Sequence, residues 1–269
     1  MTDEDSAVRL ARNWDEAARG YERYFVPRFA PWVATAVGAL RDTPLPPGPI
    51  LVPCCGTFPE LDLLAEAHPG RELVGVDLSA GMIAVARERA AGRPHIRLVT
   101  GDATALARTW PGTAAAVVSV FGLQQLPDPV AATTDWARAL SPGGRLSVVY
   151  WPPEPEAEGP FALMSDVVDG ALGTGGDEPV TWPGELAAAA VAGGLMVDRD
   201  AEVAHEIEHP DAEAYWTAVT VDGPKRGLML SHCEDFAAKL RAEYLRRAPA
   251  GPWRHRPAAG FIEAHRPRT

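Results

Sequence analysis

The chain has 269 residues, 23% of them charged, and a formal net charge of -11 at pH 7. Its length allows one large α/β domain with added elements. The acidic balance argues against a general nucleic-acid surface, because phosphate binding depends on clustered lysine and arginine, so we expect no nucleic-acid partner.

Membrane and metal partners are also excluded by the sequence. The N-terminal run MTDEDSAVRLARNWDE is charged from its start, and no later stretch is long and apolar enough to span a membrane. We therefore expect a cytoplasmic protein. The cysteines, Cys54, Cys55 and Cys233, form neither a disulfide framework nor a zinc pattern, so we expect buried or loop thiols and no metal site. The oligomeric state is left open.

Two helices are predicted before the first strand, over residues 6–20 and 32–40. Between them the run from Tyr21 to Trp32 is dense in aromatic residues. Aromatic side chains at helical spacing are usually core contacts, so packing is one interpretation of this run. The other is a lid over a bound ligand, and we assign residues 1–45 to such a helical lid.

A strand, a turn and a helix N-terminus follow in residues 50–60. Residues 50–52 suit a buried strand, and Pro59 and Glu60 are favoured in the first turn of a helix. This arrangement presents free backbone N–H groups to a bound ligand. The next strand ends in Asp77, about 20 residues beyond the turn, the distance at which an α/β cofactor domain places its ribose-binding acid. We therefore predict a cofactor loop here.

Strands and helices continue to alternate after Asp77. Ser79 is a plausible N-cap of the next helix, and a strand over residues 95–103 ends in a second acid, Asp102. Such alternation implies right-handed βαβ units and a parallel sheet, so the two acids should lie at one edge. The elements that follow are a strand at 115–122, a helix at 130–140, a turn at 141–144 and a strand at 145–151.

The remainder of the chain is predicted to elaborate this core. A loop rich in proline, glycine and acids spans residues 152–175, and its position beyond a strand's carboxyl end suits a substrate wall. We expect one domain over residues 1–269, with 46–151 as the cofactor-binding core. The predicted elements beyond the core are helices at 161–172, 183–192, 211–219 and 233–247, and strands at 195–207 and 258–264.

These motifs together resemble the class I S-adenosylmethionine-dependent methyltransferases. Residues 74–82, VGVDLSAGM, match the second strand and turn of that family closely, and residues 101–103 and 140–146 resemble later motifs. The resemblance implies a Rossmann-like, doubly wound α/β fold with a seven-stranded sheet, mostly parallel with an antiparallel last strand. It also implies S-adenosylmethionine as the cofactor.

The resemblance assigns a role to each motif residue. Asp77 would bind the ribose hydroxyls, while Asp102 and the backbone N–H of Ala103 would bind adenine. Leu78 and Met82 would flank the adenine ring. The other residues implied to bind the cofactor are Cys54, Cys55 and Gly56 in the loop, Phe121, Gly122 and Leu123 along the methionine portion, and Tyr21 at its carboxylate.

The loop departs from the family pattern of an acid followed by three alternate glycines. The matching positions hold Val52, Cys54, Gly56 and Phe58. A negative φ at Cys54 would still allow close backbone approach, whereas Phe58 adds a ring where glycine leaves space. Val52 removes the usual anchor of the methionine ammonium. Glu60 is one substitute, and an exposed Glu60 that stabilises its helix terminus is the alternative.

The expected function is methyl transfer to a small-molecule acceptor, with secondary metabolism as one setting. The reaction is an in-line displacement, so positioning supplies most of the catalysis. No catalytic residue is identified: Gln124 can orient an acceptor, and His232, like His205 and His209, is a base by chemistry. The alternatives are a related protein that binds the cofactor for a non-methylating reaction such as cyclisation, and a non-catalytic binding module.

Overall fold

A computed structural model describes residues 3–41, 43–174 and 180–268. The helices in these ranges are α1 (Asp3–Arg41), α2 (Leu61–Ala67), α3 (Ala80–Arg89), α4 (Pro129–Ala139), α5 (Pro160–Leu172), α6 (Trp182–Ala192), α7 (Ala212–Thr220), α8 (Arg226–Ser231) and α9 (Glu234–Arg247). The strands are β1 (Ile50–Pro53), β2 (Leu73–Asp77), β3 (Ile96–Thr100), β4 (Ala114–Val120), β5 (Leu140–Tyr150), β6 (Met196–Ala204), β7 (Ile207–His209), β8 (Trp253–His255) and β9 (Ala258–His265).

The main sheet has seven strands in the order β3-β2-β1-β4-β5-β9-β6. Strand β1 is parallel to β2 and β4, β2 is parallel to β3, and β4 is parallel to β5. The last strand, β9, is antiparallel to β5. The predicted Rossmann-like sheet is therefore confirmed, and the turns after β1 to β4 lie at its carboxyl edge.

The chain divides into two compact units. Residues up to 28, 153–180 and 204–258 form one, which we term the helical unit, and residues 29–152, 181–203 and 259–269 form the other, the sheet unit. The single domain expected from the sequence stays a prediction. Residue 175, the end of the predicted substrate wall, lies outside the described residues.

The N-terminal region is one helix, so the prediction of two separate helices is wrong. α1 continues through Pro27 and Pro31, although each proline lacks the N–H that would bond to the carbonyl four residues earlier. In the sheet unit Trp32 and Ala36 are fully buried, and Ser147 Oγ donates to the carbonyl of Ala36 at 2.8 Å. Burial of this face compensates the lost backbone bonds, which local propensity does not reveal.

Two further boundaries differ from prediction. The predicted turn at 141–144 lies inside β5, where the pairing with β4 shifts and Gly143 has φ 80°. The predicted strand at 195–207 is two strands: β6 joins the main sheet, and β7 pairs with β8 in a separate two-stranded sheet. Alternation of apolar and polar side chains indicates a strand but does not identify the strand with which it pairs. The short elements α8 and β8 were not predicted.

The predicted N-cap of α3 is confirmed, since Ser79 accepts from the backbone N–H of Met82 at 3.0 Å. Asp128 and Asp211, which were not predicted as caps, cap α4 and α7 in the same way. Trp136 of α4 is fully buried in the sheet unit's core. Within the described ranges, none of the helices combines the length and the apolar character that crossing a membrane requires.

Candidate cofactor site

The turn after β1 follows a left-handed backbone path at alternate residues. Cys54 has φ 52°, Gly56 has φ 52° and Phe58 has φ 61°. For a residue with a Cβ this conformation costs roughly 1–2 kcal/mol. The negative φ that would have let Cys54 keep a close backbone approach is therefore not the one observed. The loop therefore holds non-glycine residues in glycine-like conformations at the two positions where the family pattern has lost its glycines.

Glycines on neighbouring segments leave room for the loop's side chains. A Cβ built on Gly122, after β4, would lie 2.4 Å from the Cβ of Cys54. A Cβ on Gly75 of β2 would lie 2.9 Å from the Sγ of Cys55. These glycines are therefore steric requirements of the cysteines that they face, a role that the linear motif does not reveal.

The two loop cysteines are poor nucleophiles. Burial raises the pKa of the Cys54 and Cys55 thiols well above their ordinary value, and the nearby carboxylate of Asp77 acts in the same direction. Within the described part of the chain, no group of three or more His, Cys, Asp or Glu side chains is arranged to hold a metal ion. Packing is the role that the structure gives these thiols.

Asp77 links the turn after β1 to the turn after β2. Its Oδ2 accepts from the backbone N–H of Gly56 at 2.8 Å, and its Oδ1 accepts from the backbone N–H of Ser79 at 2.9 Å. The residue that the resemblance assigns to the ribose thus also fixes the shape of the cofactor loop.

The turn after β3 lies beside Asp77, since the backbone N–H of Gly101 donates to the Asp77 carbonyl at 2.9 Å. Asp102 is exposed, and its Oδ1 accepts from the backbone N–H and the hydroxyl of Thr104. The Trp136 indole donates to the carbonyl of Ala103 at 2.7 Å. This hydrogen bond uses the carbonyl of Ala103 and not its N–H. The two acids predicted to share one sheet edge are on adjacent turns.

The apolar residues assigned to the cofactor have different surroundings. Leu78 is 37% exposed, whereas Met82 is 4% exposed, with its sulfur 3.9 Å from the place of a Cβ on Gly56. Phe121 has φ 57° and stacks in parallel on Trp151 with ring centroids 4.1 Å apart. Leu123 is fully buried in the core, so any contact that it makes with a cofactor is through its backbone.

Three of the buried polar side-chain atoms that lack hydrogen-bond partners among the described residues lie on the loop and on the segment after β4. These three are Glu60 Oε2, Thr57 Oγ1 and Gln124 Oε1, while the Gln124 amide nitrogen donates to the Phe121 carbonyl at 2.7 Å. Such atoms cost about 1–3 kcal/mol each when unsatisfied. Hydrogen-bonding groups of a polar cofactor would satisfy them, so these residues fit S-adenosylmethionine.

Glu60 is buried, with 2% of its surface exposed, so the alternative of an exposed helix-capping Glu60 is wrong. It makes no side-chain cap of α2. Burial raises the pKa of its carboxyl from 4.5 to about 8, against smaller opposing effects of a backbone hydrogen bond and Arg89. A carboxyl with this pKa is largely protonated at neutral pH in the folded protein.

The free energy of unfolding should therefore fall as the pH rises between about 4.5 and 8. The folded state holds the Glu60 proton more tightly than the unfolded chain does, and this difference stabilises the fold. The stabilisation is complete below the ordinary pKa of the carboxyl. It is lost by about 1.4 kcal/mol per pH unit as the pH rises to 8. Urea unfolding of wild type and Glu60→Gln at several pH values checks this, because the variant should lack that slope. Glu66→Gln, on the exposed face of α2, is the control, and parallel curves for wild type and Glu60→Gln would contradict the burial effect.

Tyr21 and His232 belong to the helical unit, and their assigned roles stay predictions. Tyr21 packs edge-on against Trp14 with ring centroids 5.5 Å apart, and it also contacts Phe25. His232 is exposed, stacks on Phe236 and lies at hydrogen-bond distance from the Ser231 hydroxyl. These contacts account for both residues as packing or surface groups.

Residues 50–144 match a family model described as a methyltransferase domain. A demethylmenaquinone methyltransferase of Thermus thermophilus is 39% identical over 104 residues, which are 38% of this chain and 46% of that relative. The chain thus matches less than half the length of this curated relative. The family-model match includes the turns described above.

Solved structures share the fold over most of the chain. A geranyl diphosphate methyltransferase in complex with S-adenosylmethionine is 16% identical, with a TM-score of 0.51 over 88% of this chain and 85% of that one. The [4+2]-cyclase SpnF is 19% identical, with a TM-score of 0.53 over 90% and 81%. At sequence identities this low, the similarity to these structures shows a shared fold and nothing further.

Proposed function

We propose that this chain, whose residues 50–144 match a family model described as a methyltransferase domain, is a class I S-adenosylmethionine-dependent enzyme that transfers a methyl group from S-adenosylmethionine to a small-molecule acceptor. The family is one of enzymes, and S-adenosylmethionine is its cofactor. The observation that carries the proposal is the loop after β1, which keeps a glycine-like backbone at Cys54 and Phe58 and is tied to Asp77. A chain without need of the cofactor would have no reason to retain this strained path.

In this proposal the carboxyl edge of the sheet holds the nucleoside. Asp77, which also holds the backbone of Gly56 and Ser79, binds the ribose hydroxyls, and Asp102 accepts from the adenine amino group. The exposed Leu78 covers the ring. The backbone of Phe121, Gly122 and Leu123 lies along the methionine portion, and Cys54 and Cys55 contribute backbone to the loop.

Glu60 takes the place of the missing acid at Val52 in this proposal. A buried carboxyl with an unpartnered oxygen, next to a loop that binds a zwitterion, has a natural partner in the methionine ammonium. The cofactor supplies a methyl group already activated by a sulfonium. The residues of the chain orient it and exclude water, and in this proposal Gln124 orients an acceptor through its buried carbonyl oxygen.

Binding of S-adenosylmethionine near pH 7 should release protons from the protein. Pairing with the ammonium favours the Glu60 carboxylate, and this group is otherwise largely protonated because its pKa is raised to about 8. Isothermal titration in phosphate and in Tris, whose ionisation enthalpies differ, measures the release. Glu60→Gln should lose it and Glu66→Gln should keep it, whereas equal release in all three proteins would reject the pairing.

The reaction itself is tested by formation of S-adenosylhomocysteine. Purified protein is incubated with methyl-labelled S-adenosylmethionine and a panel of phenols, amines, thiols and quinols, the last because of the name of the Thermus relative. Label transfer that depends on one acceptor supports the proposal. Binding of the cofactor without transfer to any of them would favour the cyclisation alternative, for which the fold likeness to SpnF is the precedent. A cytoplasmic setting and a place in secondary metabolism stay predictions.

A further inference from the structure

The turn after β3 holds the Asp102 carboxylate through a single residue. The Thr104 hydroxyl oxygen is 2.7 Å from Asp102 Oδ1 and 2.8 Å from Asp102 Oδ2. The backbone N–H of Thr104 also donates to Oδ1, at 2.8 Å. The carboxylate is thus held on both of its oxygens, and no role assigned so far uses the Thr104 side chain.

The direction of these hydrogen bonds follows from the chemistry of the groups. An ionised carboxylate only accepts, so the Thr104 hydroxyl is the donor and its proton lies between the two oxygens of Asp102. A carboxylate has about four lone-pair sites, so it can accept one donor more than Thr104 supplies. Asp102 is exposed, and a donor on a ligand can therefore reach it. The hydroxyl orients the carboxylate without saturating it.

The main chain of this turn is held separately, from α4. The Trp136 indole, which is fully buried, donates to the Ala103 carbonyl at 2.7 Å. Further along the chain, the backbone N–H of Ala107 donates to Asp135 Oδ1 at 2.9 Å. These bonds flank Thr104 and do not involve its hydroxyl. Loss of that hydroxyl should therefore change the orientation of the carboxylate while the turn keeps its place.

The held carboxylate lies near the cofactor loop. Burial raises the pKa of the Cys54 thiol most, and the carboxylates of Asp77 and then Asp102 raise it further. Such electrostatic effects require proximity. The backbone N–H of Gly101 also donates to the Asp77 carbonyl at 2.9 Å. The two acids therefore approach the same loop residue, and all of these residues belong to the sheet unit.

We propose that Thr104 is a positioning residue of the cofactor site: its hydroxyl holds Asp102 as the acceptor of the exocyclic amine of the base, and so sets a preference for adenine over 6-oxopurines. This rests on the proposed function, in which Asp102 and the Ala103 N–H bind the adenine ring. Thr104 itself touches neither the base nor the reacting atoms. It acts through the Asp102 carboxylate.

The preference comes from the order of donors and acceptors along the edge of the base. Adenine presents an amine donor at its 6-position beside the N1 acceptor, and these match a carboxylate acceptor and a backbone N–H donor. Hypoxanthine, a 6-oxopurine, presents an oxygen acceptor beside an N1–H donor. The held carboxylate then faces the oxygen and the backbone N–H faces the N1–H, so neither hydrogen bond forms. A site of this kind rejects the mismatched ligand because its polar groups are left unpaired.

Loss of the Thr104 hydroxyl should reduce this preference. Only the backbone N–H then holds the carboxylate, at one oxygen, and the Asp102 side chain gains freedom to rotate. Adenine loses an acceptor of fixed orientation, whereas hypoxanthine loses a repulsion. A purely local role, in which Thr104 only shapes the turn, predicts instead that the affinities for both bases change by the same factor.

Isothermal titration with S-adenosylhomocysteine and its 6-oxo counterpart, S-inosylhomocysteine, measures the preference as a ratio of affinities. The wild-type protein should bind the adenine ligand at least about a hundredfold more tightly. Thr104→Val and Thr104→Ala both lack the hydroxyl and should lower the ratio about tenfold, the size expected for one hydrogen bond to a charged group. Thr104→Ser should retain the ratio. Thr100→Val, the same change at an exposed position at the end of β3, is the control and should also retain it.

The outcomes separate this inference from the proposed function. A wild-type ratio near one, a full ratio in Thr104→Val and Thr104→Ala, or a ratio that Thr104→Ser also loses would overturn the role of Thr104. Absence of S-adenosylhomocysteine binding would overturn it together with the assigned cofactor site. The expected ratios without label transfer to any acceptor would support Thr104 and count against the proposed function alone.

Discussion

Asp77→Asn should weaken binding of S-adenosylmethionine by about a hundredfold or more. The carboxylate accepts from the backbone of Gly56 and Ser79, and in our proposal it also accepts from the ribose. An asparagine side chain has one acceptor oxygen, whereas the N–H groups of Gly56 and Ser79 each bond to a separate oxygen of Asp77. The loop therefore loses one hydrogen bond, and the cofactor loses a charged acceptor. Hydrogen bonds to charged groups contribute about 1.5–3 kcal/mol each, and a factor of 100 is about 2.7 kcal/mol.

Isothermal titration with S-adenosylmethionine measures this effect, and Asp128→Asn is the matched control. Asp128 caps α4 through the backbone N–H of Ala131, and asparagine caps a helix about as well as aspartate, so that variant should bind normally. Unchanged affinity in Asp77→Asn would remove the ribose assignment.

Phe58→Gly should lower the free energy of unfolding by about 3 kcal/mol. Deleting a buried phenylalanine side chain costs about 3–5 kcal/mol, and the ring of Phe58 is fully buried. Glycine adopts the left-handed backbone of this position, at φ 61°, without strain, and this relief stabilises the folded state by only about 1 kcal/mol. Because the ring lies in the protein interior, its removal should leave cofactor affinity equal or lower, not higher.

Cys54→Gly is the comparison, measured by urea unfolding beside Phe58→Gly. Cys54 has the same left-handed backbone, at φ 52°, but a small side chain, so its net effect should stay within about 1 kcal/mol. A gain in stability at both positions would show that backbone conformation, and not burial of the ring, dominates this loop.

The core of the fold could be predicted because its signals are local. Apolar strands, the Ser79 cap and the acids Asp77 and Asp102 lie close together in sequence, and the parallel βαβ rule then brings the strand ends to one edge. The N-terminal helix was divided in error since the prolines Pro27 and Pro31 are strong local breakers, and only tertiary burial of Trp32 overrides them.

The finer features of the site depend on distant contacts. No pattern in the sequence indicates that Glu60 is buried, or that Gly122 faces Cys54 from the turn after another strand. His209 was considered as an isolated base, whereas His255 and Glu156, which continue its hydrogen bonding, were not considered at all. His255 is 46 residues from His209, and Glu156 is 99 residues from His255. The pairing of β7 with β8 was not predicted.

The contact between Cys54 and Gly122 has a consequence for recognising related sequences. A search that demands glycine at every alternate position of the loop rejects this chain, although the backbone path is retained. The informative pattern is a correlated pair: a side chain at position 54 is admissible only with glycine at position 122, where a Cβ would approach it to 2.4 Å. Homologues that restore glycine at the first position should accordingly tolerate larger residues at the second.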